Sequence, residues 1–334
     1  MTERAIEAKG LRKSFKDTEV VSKIHDCPLL CTIPGRRKGK SHDFMDKILI
    51  PPIKIQGIKT KLVPLIRNSV LMAGGRWIEP FMGSGVVGFN MDAQHALFCD
   101  TNPYLIEFYD RMKRGTITSS RVREFLEREG RLLETGGETY YYEVRDRFNA
   151  RHDPLDFLFL NRSCFNGVIR FNRGYKFNVP YGHKPHRFSK AYITKIVNQV
   201  KNLEGLFSSR DWVFQCRPFE DTIAEADPDD FIYCDPPYIG RHVDYYDSWN
   251  ELSEIRLHEA LLASHARFML STWDHNQYRS NEYLRHIWFD CNKITADHFY
   301  HVGAKEKNRR PIVEALLINY SLPSARSGWI ANDG

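Results

Sequence analysis

From about residue 76 onward, short apolar runs alternate with longer stretches of mixed polarity. Arg76-Trp77-Ile78-Glu79, Ala96-Leu97-Phe98-Cys99-Asp100, Trp212-Val213-Phe214, Phe231-Ile232-Tyr233-Cys234-Asp235 and Phe268-Met269-Leu270-Ser271 are too short for helices and read as buried strands. Between them, Asn102 to Lys113 and Glu251 to His265 read as helices. The alternation predicts a doubly wound, Rossmann-like α/β sheet. It breaks once, at residues 115–210, where the segments Val122 to Leu133 and Tyr140 to Phe148 are helical and a basic stretch follows. An interruption of that length predicts an inserted, mainly helical domain rather than a loop. The expected organisation is therefore a basic extension (1–50), a catalytic domain in two pieces (51–114 and 211–321), the insert (115–210) and a poorly ordered tail (322–334). Pro51-Pro52 supplies the first boundary, since consecutive prolines favour an extended chain.

Composition narrows the class. The 334 residues are 42% hydrophobic and 27% charged, which excludes a disordered or collagen-like chain. No apolar run approaches the roughly 18 to 20 residues that span a bilayer. Met1-Thr2-Glu3-Arg4 lacks the layout of a signal peptide, so a cytoplasmic setting is expected. The seven cysteines fit that setting, being odd in number and mostly inside apolar runs. His25, Cys27, Cys31 and His42 match no standard zinc spacing, and no metal is assigned.

The formal net charge of +6 is unevenly spread. Residues 1–61 hold 14 basic and 7 acidic residues, and residues 157–203 hold 9 basic and no acidic ones. The rest is net acidic. Two basic blocks on an acidic body suit a polyanionic partner better than the total does.

Two strand ends carry chemistry. Trp77 to Val87 reads as a strand, a glycine turn and the start of a helix. Gly83 and Gly85 there let the backbone approach a ligand. The next strand ends in Asp100, where a carboxylate suits a ribose. A tight turn without a ligand is the plainer reading. The third glycine of a dinucleotide fingerprint arrives one place late, as Gly88, and Glu79-Pro80 intrudes before the turn. Both features disfavour a nicotinamide cofactor and point to a nucleoside cofactor, of which S-adenosyl-L-methionine is the common one. The fourth strand delivers Asp235-Pro236-Pro237-Tyr238. An exocyclic amine on a nucleobase is a poor nucleophile because its lone pair is delocalised. A carboxylate at Asp235 and the Pro236 carbonyl, each accepting one N–H, let that nitrogen pyramidalise, and Tyr238 can stack on the base. The alternative is a proline-rich turn after a strand.

Taken in order, these segments resemble the N6-adenine DNA methyltransferases, the group that includes the bacterial GATC DNA adenine methylases. The resemblance runs from about Gly57 to Tyr320. Gly57-Ile58-Lys59-Thr60-Lys61-Leu62 is similar to the family's G-x-K-x-x-L segment, Glu79 to Gly85 to E-P-F-x-G-x-G, and Asp100-Thr101-Asn102 with Leu105-Ile106 to D-x-N-x-x-L-I. Phe165 to Asn172 and Phe177 to Gly182 resemble the N-G-x-x-R-x-N and F-N-V-P-x-G pair of the DNA-reading region. Asp235 to Tyr238 is similar to the catalytic D-P-P-Y. Weaker matches occur at Leu270-Ser271 and Glu314-Ala315-Leu316-Leu317.

The resemblance implies a methyltransferase-type sheet with an inserted DNA-recognition domain. It implies transfer of a methyl group from S-adenosyl-L-methionine, leaving S-adenosyl-L-homocysteine, to N6 of an adenine flipped out of double-stranded DNA. Asp235, Pro236, Pro237 and Tyr238 are implied to be catalytic. Cofactor residues are implied at Ile55, Lys59, Glu79, Pro80, Phe81, Gly83, Ser84, Gly85, Asp100, Thr101, Asn102, Phe219 and Asp235. Ile55 is a departure, since the GATC enzymes carry tryptophan there and an aliphatic side chain covers a cofactor without stacking on it. Phe219 reads equally as a core aromatic. DNA contacts are implied for Asn166, Arg170, Asn172, Arg173, Lys176, Pro180, His183 and Lys184, with Arg170 reading a guanine beside the target. After Gly182 the sequence diverges from the GATC enzymes, which leaves the outer bases open. A cognate restriction endonuclease, a bacterial nucleoid setting and no membrane complete the expectation. The rival readings are an amine in RNA, N4 of cytosine, for which serine usually replaces Asp235, and a catalytically silent DNA-binding module.

Overall fold

The structure, a computed structural model, describes residues 47–239, 249–299 and 311–323. Most of the basic extension, with His25, Cys27, Cys31 and His42, lies outside the described residues, as do the end of the tail and His242, Asp244 and Asp247, which follow the Asp235–Tyr238 motif and read from sequence as a solvated polar loop.

Seven strands form one sheet in the order β3-β2-β1-β4-β5-β7-β6. They are β1 (Trp77–Glu79), β2 (His95–Asp100), β3 (Asp211–Cys216), β4 (Phe231–Cys234), β5 (Arg267–His275), β6 (Asn292–Phe299) and β7 (Pro311–Ile318). The first five run parallel, and β7 pairs antiparallel with both β5 and β6. This confirms the doubly wound α/β expectation and adds a reversed strand that the apolar runs did not announce.

Alternate residues build two cores, as a period of two requires. Trp77, Phe98, Phe231, Tyr233, Met269 and Leu316 face one layer. Ile78, Leu97, Ile232, Cys234, Phe268, Leu270 and Leu317 face the other. The first layer is covered by α1 (Val63–Ser69), α2 (Pro103–Lys113) and the inserted helices α3 (Ser119–Arg151), α4 (Pro154–Ser163) and α5 (Lys190–Ser209). The second is covered by α6 (Phe219–Ala224), α7 (Glu251–Ala263) and the residues around α8 (Tyr283–His286). Trp77 stacks on Phe231 and Tyr233 at 5.5 and 5.7 Å, which ties β1 to β4 where the strand order reverses.

The insert contains the two expected helical segments, and α3 breaks between them at Gly137, whose φ of 54° no helix accommodates. Between α4 and α5 it makes a hairpin-like excursion from Cys164 to Tyr181, closed by bridges between Phe171 and Phe177 and between Cys164 and Tyr181. Phe177, Val179 and Tyr181 alternate into the core, and the Tyr141 hydroxyl donates to the Val179 carbonyl at 2.8 Å. The same apolar cluster holds the insert and the sheet face.

One local expectation fails. Beyond Gly85 the chain makes turns and a short 3-10 helix, Gly88–Asn90, not an α-helix. The reason is the Asn90 side chain, which donates to the Val86 carbonyl at 2.7 Å and exchanges hydrogen bonds with the Leu49 backbone, competing with helical propagation. Among the described residues no helix is long and apolar enough to cross a membrane.

Candidate active site and nucleic-acid interface

The functional segments meet at the carboxyl ends of β1, β2 and β4, beside the point where strand order reverses. Open α/β sheets bind ligands in this crevice, because adjacent loops diverge to opposite faces there.

At the end of β1, the turn is fastened from two sides. The Met82 N–H donates to the Cys99 carbonyl at 2.8 Å, and the Gly83 N–H donates to Asp100 Oδ2 at 2.9 Å. Gly83 and Gly85 hold φ of 49° and 74°, in the left-handed region. Gly88, the late glycine, is needed for packing: a Cβ there would meet the Glu79 carboxylate at 2.4 Å and the Phe98 ring at 2.3 Å. Glu79 points beneath the turn. Its Oε2 accepts from Trp77 Nε1 and from the Gly88 N–H, both at 3.0 Å. Burial pushes its carboxyl up to about 8, opposed by those two hydrogen bonds. The structure thus gives Glu79 a supporting position under the glycine turn. The Ser84 carbonyl accepts from the Tyr109 hydroxyl at 2.9 Å, which anchors the same turn to α2.

Asp100 closes β2. Besides Gly83 it accepts from the Asn102 N–H at 2.9 Å, and burial raises its carboxyl while these backbone donors pull it back. Asn102 caps α2, accepting from the Tyr104 and Leu105 N–H groups, with Pro103 at the first helical position. Thr101 is exposed between them.

At the end of β4, Asp235 Oδ1 forms an ion pair with Lys59 Nζ at 2.9 Å. Lys59 is 5% exposed and also donates to the Gly57 carbonyl at 3.0 Å. Burial raises the Asp235 carboxyl, and Lys59 opposes the rise. The lysine ammonium also lies 4.9 Å from the centroid of the Tyr238 ring. Tyr238 is buried, and its hydroxyl donates to Glu314 Oε2 at 2.5 Å. Pro236 is buried and Pro237 half-buried between these two anchored side chains. Glu314 carried no assigned role in the sequence, though a carboxylate inside an apolar strand is a visible anomaly there.

An aromatic group flanks the crevice. Phe81, of the glycine turn, stacks on Phe219 at 5.3 Å, and Trp249 closes on both at 5.5 and 5.7 Å. Trp249 was not singled out by sequence. It is held by a hydrogen bond from its Nε1 to Glu254 at 2.9 Å. Ile55, half-buried, packs at the edge of the first core. Pro80 is buried behind the turn.

The insert residues implied to contact DNA fall in one segment, 166–184, away from these acids in sequence. Asn166 is exposed with φ of 55°, and the neighbouring Phe165 ring is 52% exposed. Arg170 is half-buried, and its guanidinium donates from Nε to Asn178 Oδ1 at 2.9 Å and from Nη2 to the Asn178 carbonyl at 3.3 Å. Asn172 turns inward on its own loop, where its Oδ1 accepts from the Gly174 and Lys176 N–H groups at 2.9 and 3.1 Å. Arg173 and Lys176 project at the exposed tip. Pro180, His183 and Lys184 are exposed on the returning strand and beyond it, and the Pro180 carbonyl accepts from the Phe165 N–H at 2.9 Å. The eight residues are therefore neighbours on one segment, with Asn172 shaping it.

The sheet order, the reversed β7 and the crevice define a methyltransferase-type α/β protein. Residues 56–305 match the D12 class N6 adenine-specific DNA methyltransferases, and the chain belongs to that family. It is 36% identical over 197 residues to a DNA adenine methylase of Serratia marcescens, covering 56% of this chain and 66% of that protein. It is 28% identical over 286 residues to the type II methyltransferase M.FokI of Planomicrobium okeanokoites, covering 81% of this chain and 43% of that protein. The chain thus spans less than two thirds of the length of these relatives. An rRNA methyltransferase structure, aviRa from Streptomyces viridochromogenes, aligns over 77% of this chain and 82% of that one at a TM-score of 0.32 and 9% identity.

Proposed function

We propose that this protein transfers a methyl group from S-adenosyl-L-methionine to the exocyclic N6 of an adenine extruded from a specific double-stranded DNA sequence. The observation that carries the reading is the convergence of Asp235 and Tyr238, each anchored by a charged partner, with the Asp100-bound glycine turn across the reversal of strand order.

The residues fit the cofactor. Asp100 offers carboxylate oxygens to ribose hydroxyls, each oxygen retaining acceptor capacity beyond its one backbone N–H. Phe81, Phe219 and Trp249 form an aromatic wall suited to a purine, and Gly83 and Gly85 allow close approach. When bound, S-adenosyl-L-methionine supplies an electrophilic methyl on a sulfonium and leaves as S-adenosyl-L-homocysteine. The chain does the rest by position. Asp235 and the Pro236 carbonyl accept the two N–H bonds of the adenine amine, so its lone pair turns toward the methyl carbon. Lys59 opposes the rise that burial imposes on the Asp235 carboxyl and holds it in place. Tyr238 stacks on the extruded base, whose removal from the duplex costs a few kcal/mol, roughly. The basic segment offsets that cost through phosphate contacts, and Arg170, steadied by Asn178, reads a guanine next to the target. The name of M.FokI supports a setting beside a cognate restriction endonuclease. A DNA substrate fits a cytoplasmic, nucleoid-associated protein.

Purified protein incubated with labelled cofactor and mixed genomic duplex should methylate it, and Asp235→Ala should lower kcat by at least about 10³-fold while DNA affinity stays within roughly threefold. Cofactor binding without transfer to any duplex would sink the enzymatic reading. Methylation confined to RNA would move the substrate. Single-molecule sequencing of the product returns the site, and a site lacking guanine beside the modified adenine removes the role given to Arg170.

A further inference from the structure

Two arginines that the reaction does not use converge on one phenolic oxygen beneath the segment just described, with Lys54 as a third positive neighbour. The Tyr192 hydroxyl, in the first turn of α5, accepts from Arg162 Nη1 at 3.2 Å and from Arg187 Nη2 at 2.8 Å. Lys54 is close enough to act electrostatically on the same hydroxyl. The Arg187 guanidinium also covers the Tyr192 ring, at 4.3 Å from its centroid. Arg162 is 3% exposed, and its other hydrogen-bond partners are neutral: the Pro52 carbonyl at 2.7 Å and Gln199 Oε1 at 2.8 Å. Arg187 Nε is bound to the Arg162 carbonyl at 2.9 Å.

Among the described residues no carboxylate pairs with Lys54, Arg162 or Arg187. Burial and mutual repulsion push Lys54 and Arg162 below their ordinary values. The Tyr192 hydroxyl, which burial alone would raise, is drawn below the ordinary phenol value by Arg162, Lys54 and Arg187. Like charges gathered in a half-buried place without an opposite charge are unfavourable unless something completes the set.

The surroundings say what would complete it. Beside the cluster the surface opens into a depression of about 410 Å³ lined by Lys184, Pro185, His186, Arg187, Ser189 and Tyr192. Among the described residues no acid lines it, and Glu134, which reaches one lining residue, is engaged by His186 Nδ1 at 3.0 Å. Ser189 caps α5, a helix of 20 residues whose N-terminal amides favour an anion. On the other side, Lys54 is fixed by two backbone hydrogen bonds with the Asn161 side chain, at 2.8 and 2.9 Å. A Cβ on Gly167 would meet Lys54 Cδ at 3.0 Å, so the cluster adjoins the turn that presents Phe165 and Asn166.

We propose that this depression is a seat for one phosphodiester of the duplex backbone, bound by Arg187, Lys184 and the Tyr192 hydroxyl, with Lys54 and buried Arg162 supplying positive field behind them. The seat rests on the DNA reading proposed above and fixes the register of the duplex against the Phe165–Gly167 turn. It carries no base information, since phosphate contacts position the duplex and do not read it.

The test uses the full chain, a labelled duplex oligonucleotide bearing the site found by sequencing, and inorganic phosphate as a separate probe. Affinity is measured across a salt series. Arg187→Gln should weaken binding several-fold and reduce the slope of log affinity against log salt by about 0.9, the share of one phosphate. The loss should fall on KM for DNA rather than on kcat, and Arg187→Lys should restore most of the slope. Thermal unfolding of each variant separates this from misfolding, and Lys184→Gln serves if Arg187→Gln does not fold. An unchanged slope in folded Arg187→Gln or Lys184→Gln, with wild-type binding intact, overturns the seat and leaves the enzymatic reading standing. Free phosphate that stabilises wild type and Arg187→Gln equally also overturns it. Absence of duplex binding by the wild type takes down both.

Discussion

The crevice and the inserted segment are built on opposite electrostatic plans. In the crevice, Glu79, Asp100, Asp235 and Glu314 lie among β1, β2, β4 and β7, and each acid has an internal donor: an indole and one amide, amides alone, Lys59, and the Tyr238 hydroxyl respectively. In residues 157–203 there is no acid at all, and Arg162 and Arg187 share one phenol. A buried acid already satisfied by the chain is held for a fixed geometry. Cations left to share a neutral oxygen are arranged for a charge that arrives from outside. Positional chemistry and salt-dependent docking should therefore respond to different substitutions.

The largest break in that contrast should come from Lys59→Met. It removes the cation that holds Asp235 and leaves a buried carboxylate unpaired. Because burial already raises Asp235 and Lys59 opposes the rise, its loss raises the carboxyl further. The acid limb of the kcat profile should move to higher pH, and kcat should fall about 10²-fold or more. The salt slope for DNA should not move. A matching change in slope would mean that Lys59 faces phosphate.

Tyr238→Phe comes next. It retains the ring but deprives buried Glu314 of a donor at 2.5 Å. The expected cost is about 1 to 3 kcal/mol in folding stability, with a smaller loss of kcat than Asp235→Ala. Glu314→Gln should recover part of that stability in the Tyr238→Phe background. Additive losses in the double variant would show that the two side chains do not act together.

A third substitution reads pH rather than rate and concerns Glu79. Its carboxyl is raised from an ordinary 4.5 to about 8, so the folded protein favours the proton. The stabilisation is complete below about 4.5 and is lost as pH rises through about 8. Wild-type thermal stability should decline across that window by more than in Glu79→Gln, which keeps an acceptor for Trp77 and Gly88 and has no proton to lose. Parallel declines in the two proteins would remove the linkage.

Much of the sheet was legible because its strands are buried on both faces and read as apolar runs, as Phe231 to Cys234 illustrates. The strand β7 was less so, since Pro311–Ile318 carries Glu314 in its middle and its reversed direction depends on β5 and β6. The helix expected after Gly85 failed because Asn90 finds Leu49, a partner 41 positions earlier. Trp249 in the aromatic wall carried no local signal either, as its role comes from Phe81 and Phe219.

What the chain determines by itself is local: which runs are buried, where glycines permit a turn, and which acid or proline follows a strand. These properties depend on neighbours in sequence and on a period of two, so they survive without coordinates. Tertiary structure alone decided that Lys59 meets Asp235, that Tyr238 meets Glu314, and that Lys54, Arg162 and Arg187 surround Tyr192. Each pairing joins residues brought together only when the two faces of the sheet are covered. Charge–charge and hydrogen-bond energies depend on distance and burial, which the order of residues does not contain.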